Sequence, residues 1–449
     1  MTRMFGTDGV RGVANTMMLT GENAFRIAQL ATRHLLLNHK KHERPIYIGK
    51  DTRRSGDMLE HAVAAGIASM GAEVRLLGVV PTPAVAYVTR ERQGLGGIVI
   101  SASHNPFQDN GIKVFGADGY KISDAIENAI EQDMITGAKH ELPTGAGVGV
   151  ILPDDQSIKS WLENLKRLLK EGGSTRRLKV ALDCANGALS QWAPKFFAEM
   201  GFSVDTIGAS PDGVNINNGV GSTHIGALSK MMSREHFDVG FAFDGDADRV
   251  IAMTSDGDVI DGDFILAIVA RYLKGQDRLP GHSLVTTVMS NLGLDLAMKG
   301  LDIKVYKTRV GDRFVLEEMQ KTSAVVGGEQ SGHIILSDYA STGDGLLTAC
   351  FLMKIIRETG ASLKDLSLVM SKLPQVLLNI RVKHKNFESI PQIQNEIKQV
   401  EEKLTGRGRV LVRPSGTENL VRVMAEGPDE REIRHIVDSL AKVISHHLC

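Results

Sequence analysis

The sequence has 449 residues, 42% of them hydrophobic and 23% charged, which excludes a disordered, collagen-like or coiled-coil chain and makes roughly three domains, or four small ones, the natural expectation. Fifty-two Lys and Arg against 53 Asp and Glu leave a net charge of -1, so no global electrostatic attraction to nucleic acid or membrane is expected. No segment reaches the roughly 20 apolar residues of a membrane span, and the N-terminus carries no apolar leader; a soluble, cytosolic protein is expected. The scattered Cys184, Cys350 and Cys449 fit neither a disulfide framework nor a metal-ligand spacing, and Cys184 and Cys350 read as small buried apolar residues. Glycine is in excess, 47 residues against a usual share of about 7%, and glycine is used where backbone turns tightly or approaches a ligand.

The chain opens on Phe5-Gly6-Thr7-Asp8-Gly9-Val10-Arg11-Gly12, whose glycines around one arginine suggest backbone wrapped near an anion. One grammar then recurs three times. Ile46-Tyr47-Ile48-Gly49-Lys50-Asp51 reads as a strand entering a turn, followed by a helical stretch from His61 to Met70 and a strand around Val74. Val180 to Asp183 begins a second copy, with a helix ending near Met200 and a strand at Val204. Leu284 to Val288 begins a third, with a helix ending near Gly300 and a strand at Ile303 to Val305. Each is a strand–helix–strand unit of about 30 residues, which calls for parallel pairing through a right-handed crossover. The expected architecture is therefore α/β: three tandem related mixed α/β domains, with boundaries at 1–150, 151–254 and 255–371. The Gly- and Pro-rich stretch 136–155 reads as a connection. From 372 to 449 the grammar changes to strand, helix, two strands and helix, a smaller α+β domain.

Four further stretches carry chemistry. In Ile98-Val99-Ile100-Ser101-Ala102-Ser103-His104-Asn105-Pro106 an apolar strand runs into a turn of small polar residues that Pro106 ends. A serine hydroxyl there needs a base or metal to act as a nucleophile, and His104 and Lys113 are at hand; by itself the stretch also reads as a hydroxyl-capped turn. Asp244-Gly245-Asp246-Ala247-Asp248-Arg249 follows the apolar run Phe237 to Phe243. If the extended conformation continues, the three carboxylates point to one side, and their repulsion calls for a cation; by itself the stretch also reads as a solvated acidic turn. An EF-hand is excluded because Arg249 stands where its glycine belongs and Ser255 where its bidentate Glu belongs. Oxygen ligands without His or Cys favour a hard ion such as Mg²⁺. Gly327-Gly328-Glu329-Gln330-Ser331-Gly332-His333 presents Glu and Ser on a loop able to hydrogen-bond sugar hydroxyls, or forms a plain turn. Arg413-Pro414-Ser415-Gly416-Thr417-Glu418-Asn419, with Arg422, combines guanidinium, hydroxyls and backbone N–H groups as a phosphate cradle would, or as a hydroxyl-rich hairpin would.

Taken together, the opening FGTDGVRG, the ISASHNPFQDNGIKVFGADG of 100–119, DGDADR and GGEQSGH resemble the α-D-phosphohexomutase superfamily over essentially the whole chain. The position after Glu418 is commonly Pro in that family and is Asn419 here. The resemblance implies four domains around a central active-site cleft. It implies that Ser103 carries a phosphoryl group, that Ser103, Asp244, Asp246 and Asp248 hold Mg²⁺, and that Lys113, His104 and Arg11 assist catalysis, Lys113 being the favoured acid/base. Arg249, Glu329, Ser331 and His333 would bind the sugar, while Arg413, Ser415, Gly416, Thr417 and Arg422 would bind the phosphate that is not reacting. The implied reaction interconverts glucosamine 6-phosphate and glucosamine 1-phosphate through phosphoserine and a glucosamine 1,6-bisphosphate intermediate that also serves as activator, supplying UDP-N-acetylglucosamine and cell-envelope synthesis. Mannose or glucose phosphates as substrates, and a metal-dependent phosphatase, are the alternatives. The expected partners are a sugar phosphate and a kinase or bisphosphate donor for Ser103, with no nucleic acid or membrane; a homodimer stays open.

Overall fold

Continuous apolar runs such as Gly96–Ile100 and Val239–Phe243 are buried on both faces, the pattern of strands inside a helix-covered sheet. They assemble in a computed structural model that describes residues 4–6, 8–37, 44–138, 140–170, 177–414 and 419–448. The described chain forms two compact units, Met1–Val288 with Lys304–Leu368, and Met289–Ile303 with Val369–Cys449.

The first unit holds three mixed sheets. The first sheet contains β1 (Val10–Val13), β2 (Ile46–Lys50), β3 (Val74–Val79), β4 (Gly96–Ile100), β5 (Asp109–Gly116) and β6 (Ile151–Pro153), in the order β1-β5-β4-β2-β3-β6. The second contains β7 (Lys179–Asp183), β8 (Ser203–Ile207), β9 (Val239–Phe243), β10 (Val250–Thr254) and β11 (Val259–Ile260), in the order β11-β10-β9-β7-β8. The third contains β12 (Ser283–Thr287), β13 (Lys304–Thr308), β14 (Val326–Gly328) and β15 (Ile334–Leu336), in the order β13-β12-β14-β15.

The three sheets repeat one plan. A central strand (β2, β7 or β12) pairs in parallel with the strand that follows it (β3, β8 or β13) and, on its other side, with a later strand (β4, β9 or β14). The chain then doubles back, so that β5, β10 and β15 run antiparallel to β4, β9 and β14. The expected strand–helix–strand repeat is present, and it extends to this fourth strand. The connections that reverse direction are 101–108, 244–249 and 329–333: the serine, aspartate and glutamate loops occupy one topological position in three sheets. Each lies beyond the carboxyl end of a parallel strand, where open α/β sheets place their ligands.

Local chemistry sets the ends of these elements. Asp51 and Asp183 follow or end the central strands of the first two sheets, and each accepts the backbone N–H two residues on, from Arg53 at 2.9 Å and Ala185 at 3.0 Å. Asp261 caps the helix Gly262–Gly275 by accepting from Asp263 and Phe264 N–H, and Asp344 caps Gly345–Thr359 through Leu347 N–H. The stretch 136–155 is more than a connection: Ile151–Pro153 adds a parallel edge strand to β3, where Pro153 is tolerated because one side of an edge strand donates to nothing. Cys184 and Cys350 are buried and unpaired, as expected; Cys449 lies outside the described residues.

The second unit contains an antiparallel sheet of β16 (Gln375–Arg381), β17 (Arg409–Pro414) and β18 (Leu420–Glu426), in the order β16-β18-β17. Helices Pro391–Leu404 and Glu430–Leu448 share a core with it that includes Ile393, Val421, Val423, Ile433 and Leu440. Helix Leu292–Gly300, the helix of the third sequence repeat, belongs to this unit. Its N-cap Asn291 exchanges hydrogen bonds with the backbone of Leu373, and Leu292 N–H donates to buried Glu426 at 2.8 Å. No helix among the described residues is long and apolar enough to cross a membrane.

Candidate active site

Three direction-reversing loops converge within the first unit. In the aspartate loop the extended conformation does not continue past β9: residues 244–249 form a turn, with Ala247 at φ 58°. The turn, rather than strand alternation, gathers the carboxylates, so that one oxygen from each of Asp244, Asp246 and Asp248 lies within 4.8 Å of the others, all three residues buried. Asp246 Oδ1 and Asp248 Oδ1 have no hydrogen-bond partner. Buried carboxylate oxygens without partners are costly, and this all-oxygen donor set fits a divalent hard cation. Burial first, then the Asp248 and Asp246 charges, push the Asp244 carboxyl well above its ordinary range.

The serine loop meets this cluster directly. Ser103 is fully buried, its Oγ donates to Asp244 Oδ2 at 2.5 Å, and its backbone sits in the left-handed region at φ 51°. The two loops touch closely enough that a Cβ built on Gly245 would lie 2.6 Å from the Ser103 carbonyl oxygen and 2.9 Å from Asn217 Nδ2.

Lys113, on β5, faces the same cluster. Its Nζ lies 2.8 Å from Asp246, 3.4 Å from Asp248 and 3.0 Å from Asp8. Burial alone would lower its pKa, but the charges of Asp246, Asp8 and Asp248 outweigh burial and raise it, so Lys113 is an ammonium. Asp8 also pairs with Arg11 and Lys121, and Lys121 reaches on to Asp312 at the start of the helix Asp312–Thr322. His333 extends the line, with Nε2 3.8 Å from Asp312 and Nδ1 3.8 Å from Asp248. Acids and bases thus alternate around a ring that joins the serine side, the aspartate loop and the glutamate loop.

Two of the expected residues support a third. Arg249 Nη1 donates to His104 Nδ1 at 3.0 Å, while Ser103 Oγ is 3.4 Å from that nitrogen. Burial, with Arg249 and Arg11 nearby, pushes His104 down to about 4, so it is neutral near pH 7 and able to accept from Arg249. In the glutamate loop, Glu329 accepts from Gly311 N–H at 3.0 Å and from Ser331 Oγ at 3.3 Å, and Gly343 N–H donates to His333 Nε2. This loop is seated on the aspartate loop's strand: Val250 N–H donates to Gly332 O at 3.1 Å, and a Cβ on Gly332 would stand 2.2 Å from Val250 O.

Of the residues expected from sequence, Ser103, His104, Lys113, Arg11, Asp244, Asp246, Asp248, Arg249 and His333 form one contact network, with Glu329 and Ser331 on the loop that carries His333. In the second unit Arg413 and Arg422 face each other across the β17–β18 ladder, and burial together with Arg422 lowers the pKa of Arg413. Ser415, Gly416 and Thr417 lie outside the described residues. Sequence reading missed Asp8 as an ion-pair hub, and it missed Arg53, Thr82, Lys121, Asn217 and Asp312. Thr82 Oγ1 donates to Asp246 at 2.5 Å. These are single residues without spacing to announce them; only the glycines flanking Asp8 gave a signal.

Comparison with known proteins agrees along the whole chain. Phosphoglucomutase/phosphomannomutase domain models match in order: α/β/α domain I at residues 2–141, domain II at 159–257, domain III at 261–373 and the C-terminal domain at 377–443. The phosphoglucosamine mutases of Acetivibrio thermocellus and Brevibacillus brevis are each 48% identical, with 100% of both chains covered. A phosphoglucomutase/phosphomannomutase family protein of Burkholderia thailandensis shares the fold, with a TM-score of 0.83 at 22% identity over 99% of this chain and 97% of its own. Four matching domain models and full-length relatives at this identity make the chain a member of the phosphoglucomutase/phosphomannomutase family.

Proposed function

We propose that this protein is a cytoplasmic isomerase that interconverts glucosamine 6-phosphate and glucosamine 1-phosphate, with phospho-Ser103 as donor and Mg²⁺ as its resident cation. The observation that carries the reading is a serine hydroxyl 2.5 Å from one carboxylate of a buried three-aspartate cluster, in a chain 48% identical over its full length to phosphoglucosamine mutases.

The chemistry balances as two transfers. In the first, the bond from Ser103 Oγ to phosphorus breaks while phosphorus bonds to O6 of the 1-phosphate or O1 of the 6-phosphate, and the sugar hydroxyl proton passes in net to Ser103. The second transfer reverses this at the other end of the bisphosphate and restores phospho-Ser103. Phosphoryl transfer depends on alignment and charge neutralisation more than on covalent assistance. Asp244, Asp246 and Asp248, with the Ser103 phosphate, would hold a divalent cation, which would supply charge neutralisation at the phosphoryl group and weaken the hold of the shared carboxylates on the Lys113 proton. Lys113 is the acid/base of the reading: its ammonium protonates the departing Ser103 oxygen, and its amine accepts the proton of the incoming hydroxyl. Neutral His104 keeps the Arg249 guanidinium turned toward Ser103, and Arg11, braced by Asp8, adds positive charge. Glu329, Ser331 and His333 hold the sugar; Arg413 and Arg422, with Ser415, Gly416 and Thr417, take the idle phosphate. A kinase or a bisphosphate supplies the first phosphoryl group.

The test is ³¹P NMR of the protein with Mg²⁺ and a trace of bisphosphate, offered the 1-phosphates of glucosamine, glucose and mannose in turn. The expected result is fastest conversion of the glucosamine compound, lost in Ser103→Ala, without release of inorganic phosphate. Faster turnover of another sugar refutes the substrate; steady release of inorganic phosphate refutes the isomerase in favour of a phosphatase.

A further inference from the structure

The backbone of Ser103 is gripped from both sides by residues that neither the motifs nor the family comparison singled out. Arg53, in the turn after β2, has a fully buried side chain. Its Nε donates to Asp51 Oδ2 at 2.8 Å, its Nη2 donates to the carbonyls of Ser103 and Asn105, both at 2.9 Å, and its Nη1 donates to the carbonyl of Pro106. Asn217, reaching in from the second sheet's side of the unit, donates through Nδ2 to the same two carbonyls, Ser103 at 2.9 Å and Asn105 at 3.0 Å. Asp51 in turn accepts from Ser101 Oγ at 2.6 Å, and that oxygen accepts the Ser103 N–H at 2.9 Å. Both polar groups of the Ser103 peptide backbone therefore end on one network anchored by a buried guanidinium.

A buried ion pair is weak evidence for stability, because apolar residues of similar volume often do as well. What apolar residues cannot do is fix three carbonyls of one turn. A non-glycine residue in the left-handed region is strained by on the order of 1–2 kcal/mol, and it persists only where its surroundings over-determine it. Released, Ser103 relaxes toward negative φ and swings Oγ away from Asp244.

We infer that Arg53 and Asn217 are positioning residues for phosphoryl transfer: they hold Ser103 in the left-handed conformation that presents its Oγ to the aspartate cluster. The inference rests on the reading of Ser103 as the phosphoryl carrier. Arg53→Lys keeps a cation beside Asp51 but gathers its donors on one nitrogen, which cannot span three carbonyls; Asn217→Ala removes the second grip and leaves the ion pair intact.

The experiment follows transfer from glucose 1,6-bisphosphate to Ser103 by intact-protein mass spectrometry, together with steady-state kinetics on glucosamine 1-phosphate and thermal unfolding of each variant. A displacement of about 1 Å can cost about 100-fold in rate. Arg53→Lys is expected to slow both Ser103 phosphorylation and kcat by about 10- to 100-fold and Asn217→Ala by about 10-fold, with KM within about threefold, because the sugar and phosphate contacts are untouched. Folded variants that take up phosphate at the wild-type rate, or that raise KM alone, overturn the inference; should Arg53→Lys fail to fold, Asn217→Ala decides. A wild-type protein that takes up no phosphoryl group overturns the functional reading instead. One that is phosphorylated but does not isomerise glucosamine 1-phosphate overturns only the substrate, and the uptake rates still decide the roles of Arg53 and Asn217.

Discussion

Replacing Gly245 by alanine tests the convergence of the loops at its tightest point. The added Cβ would stand 2.6 Å from the Ser103 carbonyl oxygen, 2.7 Å from Ile216 Cδ1 and 2.9 Å from Asn217 Nδ2. Ordinary contact begins near 3.4 Å, so the serine and aspartate loops must part by about 0.8 Å. Ile216 can rotate, but the carbonyl is held by Arg53 and by Asn217, whose amide nitrogen the new Cβ also crowds. Overpacking of this kind costs about 1–3 kcal/mol in stability. On the proposed mechanism, a separation approaching 1 Å between Ser103 and the aspartate cluster costs on the order of 100-fold in rate, about 2.7 kcal/mol of activation free energy. Thermal unfolding and the ³¹P assay measure the two losses separately. Gly275→Ala, at the end of a helix with nothing within 4 Å of its Cβ, is the control and should be neutral or slightly stabilising. A Gly245→Ala protein within 2-fold of wild-type kcat, at unchanged unfolding temperature, would refute the close-contact argument.

Other consequences are equally open to measurement. Burial pushes the Asp344 carboxyl up to about 6, although it accepts from Trp161 Nε1 and Leu347 N–H at 2.9 Å each. Because its folded pKa lies above its unfolded one, the group penalises the folded state above pH 6 and the penalty vanishes as pH falls toward 4. Relative to Asp344→Asn, the wild type should therefore gain about 2 kcal/mol between pH 7 and pH 4, and a pH-independent difference would contradict it. Asp244→Asn relieves repulsion in the cation-free protein, so its unfolding temperature in chelator should be no lower than wild type, while the stabilisation expected of the wild type on adding the proposed Mg²⁺ should disappear; Mg²⁺ stabilisation retained in the variant would remove Asp244 from the ligand set. In the second unit, Arg409→Met strips the partner at 3.0 Å from the fully buried Glu426 and should cost about 3–5 kcal/mol, seen as faster amide exchange across β16 to β18. Unchanged exchange there would show that Gln375 and Leu292 N–H suffice for Glu426.

Much of the fold was legible because its signals are periodic or cumulative. The three strand–helix–strand units appeared as recurring apolar runs separated by Gly and Asp, and Asp51 and Asp183 stood at matching places in the first two. The three-residue strand Ile151–Pro153 was not legible: its pairing with β3 comes from tertiary contact, and no period can show in three residues. Ser103 and the aspartates were visible as motifs, but the reason the carboxylates converge was not. Local pattern suggested strand alternation where the chain makes a turn with Ala247 at positive φ. Arg53 is one arginine in a polar turn, and the carbonyls it holds lie about 50 positions along the chain; burial and reach, which decide its role, have no local sequence signature.

The three direction-reversing loops bear on how such a molecule could arise and vary. Each is the same bend of the same repeating unit, so the proposed carrier of the phosphoryl group, the proposed seat of the cation and the proposed grip on the sugar are three versions of one corner, each with its own trade. Copies that share a scaffold but not a loop can drift independently. Residues 329–333 could be rewritten for another hexose while 101–108 and 244–249 stay as they are, changing what is held without disturbing how it reacts. On the proposed roles, a chimera carrying a relative's third corner on this chain would trade substrates and keep Ser103 as its phosphoryl carrier.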